Sequence, residues 1–325
     1  MPTDQLNLFN NGNNQDETKY NWQTEHIIYL KSLKNIGNTT IQQIINLCPD
    51  VDNWNIELFR GRIKDSAFNY LPEKFPQLEK SDSDKVISFL DSKYPSEFNT
   101  MGTDKPILLW YKGNLEFSKS IAVVGSRNIH PKTIEIANLF TEIAVEKGFN
   151  IVSGLALGTD TVGHKKAVEL NSPTTVILPS PINNIVPREN IELANQILDN
   201  GGLFLTEYPP NSEIQRSNYV QRDRLQAGLS KAVFVGQSGI PGGTLHTVRY
   251  TLKYGKKLFV FNSNSDENQY EGNNKLLQKP SEIDSFDFLN IKTNKAINDL
   301  KSRETLVDEV ITDKPSIHNA LSTLL

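Results

Sequence analysis

The chain contains 325 residues, of which 37% are hydrophobic and 22% are charged, a composition that suits one large folded domain with one or two small ones. Its formal net charge of −4 excludes a wholly basic coat, so a surface for a polyanion has to be a local patch. The single cysteine, Cys48, excludes an intrachain disulfide and agrees with a cytoplasmic location. We expect neither a signal peptide nor a membrane span, because no apolar run approaches the roughly 18 residues that cross a bilayer.

The N-terminal part of the chain predicts two segments. Residues 1–22 are polar and rich in asparagine, which is typical of a disordered leader. Residues 23–92 alternate short apolar clusters with polar breaks and predict a small helical module. Within it, two helices are expected between Glu25 and Cys48, on either side of a turn at Asn35–Asn38. Prolines 72 and 76 and the polar run at 81–84 then mark a change of segment.

Short apolar runs alternate with helical patterns through the middle of the chain. The runs lie at 107–111, 121–124, 150–152, 174–178, 203–205, 232–235 and 258–261, and the helical patterns at 133–147, 161–170, 191–200 and 244–254. This alternation predicts an α/β fold: a doubly wound, mostly parallel sheet with helices on both faces. We place this domain at residues 93–290 and predict a C-terminal tail with short helices at 291–325.

The loops after the predicted strands are rich in small residues, and they lie at the sheet edge where such folds bind ligands. Two loops are candidate phosphate cradles. One is Gly125-Ser126-Arg127, whose guanidinium suits a bidentate phosphate contact, and the other is Gly242-Gly243-Thr244, which opens a helix. Glycines are also common in such turns for steric reasons alone. The dinucleotide fingerprint G-x-G-x-x-G is absent after the first strand and the P-loop pattern is absent too, so no nucleotide cofactor is expected.

A basic segment runs from Ser212 to Lys257. Its only acids are Glu213 and Asp223, and its bases are Arg216, Arg222, Arg224, Lys231, Arg249, Lys253, Lys256 and Lys257. The last three lysines fit the solvated face of a helix. The three arginines at 216–224 lie in a stretch that we interpret as turn-rich, near Tyr208, Asn218 and Tyr219, and this mixture favours contacts to a nucleic-acid strand.

Candidate catalytic groups are sparse. Asp160 and His164 share a helix face, and Asp160 is expected to cap that helix rather than act as a base. Glu207 follows a strand, where a structural carboxylate bonded to loop amides is at least as well supported as a catalytic one. The five histidines are scattered, so no metal site is predicted. The sequence therefore favours a binding protein over an enzyme.

Taken in order, these loops resemble the DprA/Smf family of DNA-processing proteins, within the wider LOG-like nucleotide-binding fold group. The stretches that carry the resemblance are Ile121–Arg127 (strand and G-S-R turn), Ser153–His164 (S-G-x-A-x-G-x-D-x-x-x-H), Pro187–Glu189 (P-[RK]-E), Thr206–Pro210 (S-E-Y-P-P), Arg222–Ser230 (R-N-R-I-I-A-G-L-S), Gly243–Leu245 (G-S-L) and Gly272–Leu277 (G-T-N-x-L-I). The resemblance implies an extended Rossmann-like fold and a homodimer that binds single-stranded DNA, protects it and assists a RecA-type recombinase, often in natural transformation.

The resemblance also implies positions for the site. Arg127 and Arg188 would contact phosphate, and Arg216, Arg222 and Arg224 would line the strand. The rest of the implied DNA-binding set is Gly125, Ser126, Ser153, Gly154, Asn218, Gly242, Gly243 and Thr244. No catalytic residue is implied.

Three departures from the family pattern predict a divergent member. Leu157 stands where the family usually has arginine, Asp223 replaces the asparagine of R-N-R, and Val186 replaces a tyrosine. Two alternatives therefore stay open: a nucleotide sensor of an antiviral defence system, and a nucleoside monophosphate phosphoribohydrolase. The hydrolases resemble this chain at a P-G-G-x-G-T-x-x-E loop. Residues 241–249 keep the phosphate-binding Gly-Gly pair of that loop but contain no glutamate.

Overall fold

The computed structural model describes residues 20–78 and 85–325. Residues 1–19 of the predicted disordered leader, and the polar run at 81–84, lie outside the described residues. The described residues divide into two compact units, one formed by residues 20–78, 85–94 and 101–108 and the other by residues 95–100 and 109–325.

The first unit is mainly helical. It contains α1 (Thr24–Ser32), α2 (Asn38–Leu47), the short α3 (Asp65–Phe68) and a three-residue strand, β1 (Val86–Ser88). The two predicted helices are confirmed, and Asn35 in the turn between them has a left-handed φ of 62°. Ile27, Leu30, Ile41 and Phe59 are fully buried, so the apolar clusters of the sequence form the core of this unit.

The second unit alternates strands and helices as predicted. Its elements are β2 (Leu108–Gly113), β3 (Ser120–Val124), α4 (Pro131–Glu146), β4 (Asn150–Ser153), α5 (Thr159–Glu169), β5 (Thr174–Ile177), α6 (Ile191–Asp199), β6 (Leu203–Thr206), α7 (Arg216–Leu229), β7 (Ala232–Val235), α8 (Thr244–Lys253), β8 (Lys257–Phe261), α9 (Glu271–Leu277), α10 (Asn294–Lys301), β9 (Glu309–Ile311) and α11 (Lys314–Ser322).

These strands form a sheet in the order β2-β6-β5-β4-β3-β7-β8-β9. β2 pairs antiparallel with β6, and the remaining neighbours pair parallel. The predicted mostly parallel, doubly wound sheet is confirmed. Successive strands run outward from β3 in one direction and then from β7 in the other, so the chain reverses its winding between β3 and β7. Loops diverge at such a switch point and leave a crevice for a ligand.

Apolar side chains cover both faces of the sheet. On one face, Phe140 of α4 stacks on Phe234 of β7 with ring centroids 4.0 Å apart, within a cluster that includes Phe149, Phe259 and Ile317. A second cluster on the same face joins α6 to β5 and β6 through Val176, Leu193, Ile197 and Phe204. The alternate strand residues, which point to the opposite face, are fully buried as well; they include Ala122, Val152 and Val233. Burial on both faces explains why the strands are nearly continuous apolar runs in the sequence.

Two features differ from the sequence-based prediction. The interpretation of residues 216–224 as turn-rich is wrong, because they form the first part of the 14-residue helix α7. Most of that helix is buried although it is polar, so it lacks the apolar stripe by which a helix is usually identified. The prediction of short helices for the tail also missed β9, a three-residue strand at the sheet edge. Within residues 20–78 and 85–325, every helix is too short or too polar to cross a membrane.

Candidate functional site

A cavity of about 490 Å³ lies at the carboxyl ends of β3 and β7, the switch point of the sheet. Its size is within the range of ligand sites in proteins. It is lined by the loop after β3, by α5, by α7 and by the start of α8. The lining residues include Gly125, Ser126, Arg127, Ala156, Asp160, Tyr219, Arg222, Asp223, Gln226, Gly242, Gly243, Thr244, His246 and Thr247.

The side chain of Gln237 fixes the loop that follows β3. Its Oε1 accepts hydrogen bonds from the His130 amide and from Thr133 Oγ1, both at 2.9 Å, and its Nε2 donates to the Asn128 carbonyl at 3.0 Å. The backbone carbonyl of Gln237 accepts from the Ser126 amide at 2.8 Å. Gln237 is 1% exposed, so its side chain holds this loop in place from inside the protein. The sequence analysis assigned it no role, since one glutamine in a glycine-rich loop carries no recognisable pattern.

The predicted glycines divide into two kinds. A Cβ on Gly125 would overlap Thr159 Oγ1, and one on Gly154 would overlap the Arg222 guanidinium, so both are glycine because the protein itself packs against them. A Cβ on Gly243, by contrast, would meet no atom within 4 Å. The steric explanation therefore holds at Gly125 and Gly154, whereas Gly243 borders open space at the cavity.

The backbone amides of the predicted cradle divide in the same way. Those of Ser126 and Gly154 already donate within the protein, the first to Gln237 and the second to Asp160 Oδ2 at 3.0 Å. The amino end of α8, at Gly243 and Thr244, lines the cavity without a side-chain cap. The first amides of a helix have no acceptor inside the helix and carry a partial positive charge. This end of α8 therefore offers donors suited to a phosphate group.

Arg127 and Tyr219 form a second recognition element beside the helix end. The guanidinium carbon of Arg127 lies 5.8 Å from the centroid of the Tyr219 ring. Both residues line the cavity, and Arg127 is exposed to solvent. The pair places a fixed positive charge and an aromatic face at the same wall, a combination that single-strand binders use for the phosphate and the base of a nucleotide.

Arg222 forms part of the floor of the cavity, where its guanidinium is hydrogen-bonded within the protein. It is 6% exposed, its Nη1 donates to the carbonyls of Gly154 (2.6 Å) and Ile177 (2.7 Å), and its Nε donates to Asp223 Oδ1 (3.1 Å). These bonds tie α7 to the ends of β4 and β5. The charge of Arg222 serves internal contacts first, although the residue borders the cavity.

Two buried carboxylates accompany Arg222. Burial raises the pKa of Asp223 to about 7; Arg222 opposes this rise, and the nearby negative charge of Asp160 adds to it. Burial also raises the pKa of Asp160, against the opposing effects of Arg222 and of the Gly154 and Ala156 amides. The floor of the cavity thus holds two neighbouring acids whose pKa values are both raised by burial.

The expectation that Asp160 caps its own helix is wrong. Its Oδ2 accepts from the Gly154 amide at 3.0 Å and the Ala156 amide at 3.4 Å, so it folds the preceding loop back against α5. His164, one turn later, instead contacts Thr174 Oγ1 at 2.9 Å. Its burial lowers the pKa of the imidazole to about 3. His164 is therefore neutral and structural.

Glu207 has a structural role, but its partner is the side chain of Arg224 where the sequence analysis expected loop amides. Its carboxylate makes a bidentate ion pair with Arg224, with N–O distances of 2.6 and 2.7 Å. Arg224 is 7% exposed and does not line the cavity. The ion pair fixes α7 to the loop after β6.

The structure brings together seven of the predicted site residues: Gly125, Ser126, Arg127, Arg222, Gly242, Gly243 and Thr244 line the cavity. Gly154 lines a smaller cavity of about 80 Å³ that shares Arg127, Tyr219 and Arg222 with the larger one and includes Leu157 and Val186. Five others line neither: Ser153 donates to the Val123 carbonyl, Asn218 and Arg224 are buried in α7, and Arg188 and Arg216 are exposed.

Comparison with known proteins gives a consistent result. Residues 85–286 match the model of the family described as DNA recombination-mediator protein A. Protein Smf of Borreliella burgdorferi is 32% identical over 236 residues, covering 71% of this chain and 74% of that protein. The DNA processing protein DprA of Streptococcus pneumoniae is 29% identical over 272 residues, covering 80% of this chain and 94% of that protein.

Two solved structures share the fold. The X-ray structure of DNA processing protein A from Streptococcus pneumoniae has a TM-score of 0.66 at 21% identity, covering 91% of this chain and 98% of that one. The second structure, of DNA processing protein A from Helicobacter pylori, concerns the single-stranded DNA binding mode of that protein. It has a TM-score of 0.56 at 23% identity, and the match covers 74% of this chain and 96% of that one. At these identities the two structures support the fold.

Proposed function

Because the chain belongs to the DNA recombination-mediator protein A family, we propose that it binds single-stranded DNA without catalysing a reaction, and that one nucleotide of the strand enters the 490 Å³ cavity. The observation that carries this proposal is the convergence of the amino end of α8 with Arg127 and Tyr219 on one cavity. The relative from Helicobacter pylori binds single-stranded DNA, which supports the same class of ligand here.

In this proposal, the phosphate and the base of the nucleotide contact different walls of the cavity. The phosphate lies at Gly243 and Thr244, where the helix end supplies amide donors, and Arg127 adds a charged contact. The base lies against Tyr219. Backbone phosphate contacts do not depend on sequence, so most of the affinity is shared by all strands.

The test is fluorescence anisotropy of a labelled oligo-dT strand across a salt series. Wild type should bind at low salt, and Arg127→Ala should weaken binding and lower the salt slope by about 0.7 for one lost phosphate contact. Arg188→Ala tests whether the strand extends beyond the cavity to that exposed arginine. A control is Arg303→Ala, which removes an equal charge that pairs with Asp299 and lines neither cavity. Absence of binding at low salt contradicts the proposal, as does an unchanged slope in Arg127→Ala.

The family also suggests partners and a pathway. We propose that the chain forms a homodimer, works in the cytoplasm and assists a RecA-type recombinase, in recombination or DNA uptake. Light scattering of the purified chain tests the dimer. The rate at which the recombinase forms filaments on strands coated with a single-strand-binding protein, with and without this chain, tests the second partner. A monomeric mass, or an unchanged rate, contradicts the corresponding part.

A free nucleotide is the second candidate ligand, because the cavity holds about one nucleotide and its floor carries Asp223, which the family pattern does not have. A thermal shift with mononucleotides, cyclic nucleotides and ADP-ribose compares it with the strand. Stabilisation by a nucleotide without any binding of oligo-dT would favour the sensor. Release of free base from a nucleoside monophosphate would favour the hydrolase.

A further inference from the structure

Asp223 lines the cavity with a carboxylate that the protein satisfies on one side only. Its Oδ1 accepts from Arg222 Nε at 3.1 Å. Its Oδ2 has no hydrogen-bond partner in the part of the chain that the structure describes. Asp160, the neighbouring acid, is bonded by two backbone amides. An ionised carboxylate can accept several hydrogen bonds, so Asp223, on the cavity wall, can accept further N–H donors from a ligand.

The position of Asp223 indicates which part of a nucleotide those donors belong to. Asp223 and Tyr219 are four residues apart on α7 and therefore share one face of the helix. Both line the cavity, as does the phosphate-binding end of α8. A base that packs against Tyr219 can thus direct its hydrogen-bonding edge toward Asp223, while its phosphate lies at Gly243 and Thr244.

We propose that Asp223 selects guanine, by accepting hydrogen bonds from its N1–H and N2–H groups. This inference rests on the proposed single-strand binding. Among the four DNA bases, guanine alone presents two adjacent N–H donors on its Watson–Crick edge, the edge that unpaired bases offer to proteins. On the same edge, adenine and cytosine each have one amino donor beside a ring acceptor, and thymine has one N–H donor between two carbonyls. Two carboxylate oxygens match guanine and repel the other edges.

The surrounding charges make this selection dependent on pH. Arg222 on α7 and Arg127 from the loop after β3 favour the ionised form of Asp223, whereas Asp160 on α5 opposes it, and His246 of α8 also lines the cavity. Burial raises the pKa of Asp223 to about 7. A protonated carboxyl group has one acceptor fewer, so the preference for guanine should strengthen as the pH rises from 6 to 8.

The experiment compares dT20 strands that differ at one central position, which is thymine, guanine, adenine or hypoxanthine. Anisotropy is measured at pH 6 and pH 8. For wild type at pH 8 we expect guanine to bind on the order of tenfold more tightly than thymine or adenine. Hypoxanthine, which lacks the N2 amine, should be intermediate. Adenine controls for purine stacking on Tyr219, because it offers the same ring area without two adjacent donors.

Asp223→Asn keeps the shape of the side chain but offers one donor and one acceptor. It should lose the guanine preference and gain one for adenine or cytosine. The matched control is Asp199→Asn, which changes an exposed acid at the end of α6 and should keep the wild-type order. Equal affinities for the four strands, or a guanine preference that survives in Asp223→Asn, would overturn the inference while leaving single-strand binding intact. Failure of every strand to bind would overturn both.

Discussion

Asp223→Asn should stabilise the folded protein at neutral and alkaline pH, although it removes a buried ionic hydrogen bond. The pKa of Asp223 is about 7 in the folded chain, against 3.8 for an unburied aspartate. A folded pKa above the unfolded one means that stability is fully present below about pH 4 and is lost as the pH rises to about 7. At 1.36 kcal/mol per pH unit, the loss approaches about 4 kcal/mol. The Asp223→Asn variant does not lose this stability, because asparagine carries no charge to bury.

Neighbouring groups explain why asparagine fits this position. Its Oδ1 can still accept from Arg222 Nε, and Arg222 retains Asp160 as a nearby negative charge. The difference between Asp223→Asn and wild type should be near zero at pH 4, where Asp223 is protonated. It should grow to about 2–4 kcal/mol by pH 8 and then stay constant.

Urea unfolding followed by circular dichroism, at pH values from 4 to 9, measures this difference directly. Asp199→Asn serves as the control, because it removes an exposed carboxylate and should show no such rise. An Asp223→Asn variant that is less stable than wild type at pH 8, or a difference that does not change with pH, would refute the reasoning. In that case the carboxylate would be held ionised by Arg222 strongly enough to offset its burial.

Three further substitutions test the supports of the cavity. Gln237→Ala removes three side-chain hydrogen bonds from the loop after β3 and should cost about 2–4 kcal/mol, measured by urea unfolding, together with a loss of strand affinity. Gly158→Ala places a Cβ against the Ser126 carbonyl at a φ of 81°, so we expect a cost of about 2–5 kcal/mol in the same assay. Glu207→Ala leaves Arg224 buried without its bidentate partner and should cost about 3–5 kcal/mol, far more than Glu57→Ala at the exposed pair with Arg60. Unfolding midpoints equal to wild type would show that the corresponding contact contributes nothing.

The fold was largely predictable because its strands are buried on both faces. β7 was predicted with its observed bounds, Ala232–Val235, since a fully apolar run between polar loops has few other interpretations. β9 was missed because it contains only two apolar residues, Val310 and Ile311, and so short a run does not stand out in the sequence. Helix α7 was missed for a different reason. It is buried, but its arginines Arg222 and Arg224 form ion pairs with acidic side chains. In the sequence, an arginine in a buried ion pair cannot be distinguished from an arginine exposed to solvent.

The candidate site was predictable in position and only partly in chemistry. The alternation of strands and helices implies parallel strands, whose carboxyl ends lie at one edge of the sheet, so the loops at Gly125 and Gly243 could be placed there. What each glycine does could not be predicted, because a glycine that admits a ligand and one that admits Arg222 are identical in sequence. The distinction depends on side chains that approach from helices remote in the chain.

The burial of Arg222 and Arg224 changes how the protein can attract a polyanion. The sequence offers a basic segment with a clear excess of positive charge, yet both arginines are paired with acids and Lys257 pairs with Asp308. Arg127 and the end of α8 then provide the cavity's main attraction for phosphate, and the buried acids oppose it. A site of this kind gains little from long-range electrostatic attraction, so contacts inside the cavity, including those to the base, add to its affinity. Such contacts distinguish bases, which is why an acid at position 223 acts on the choice of base as well as on the strength of binding.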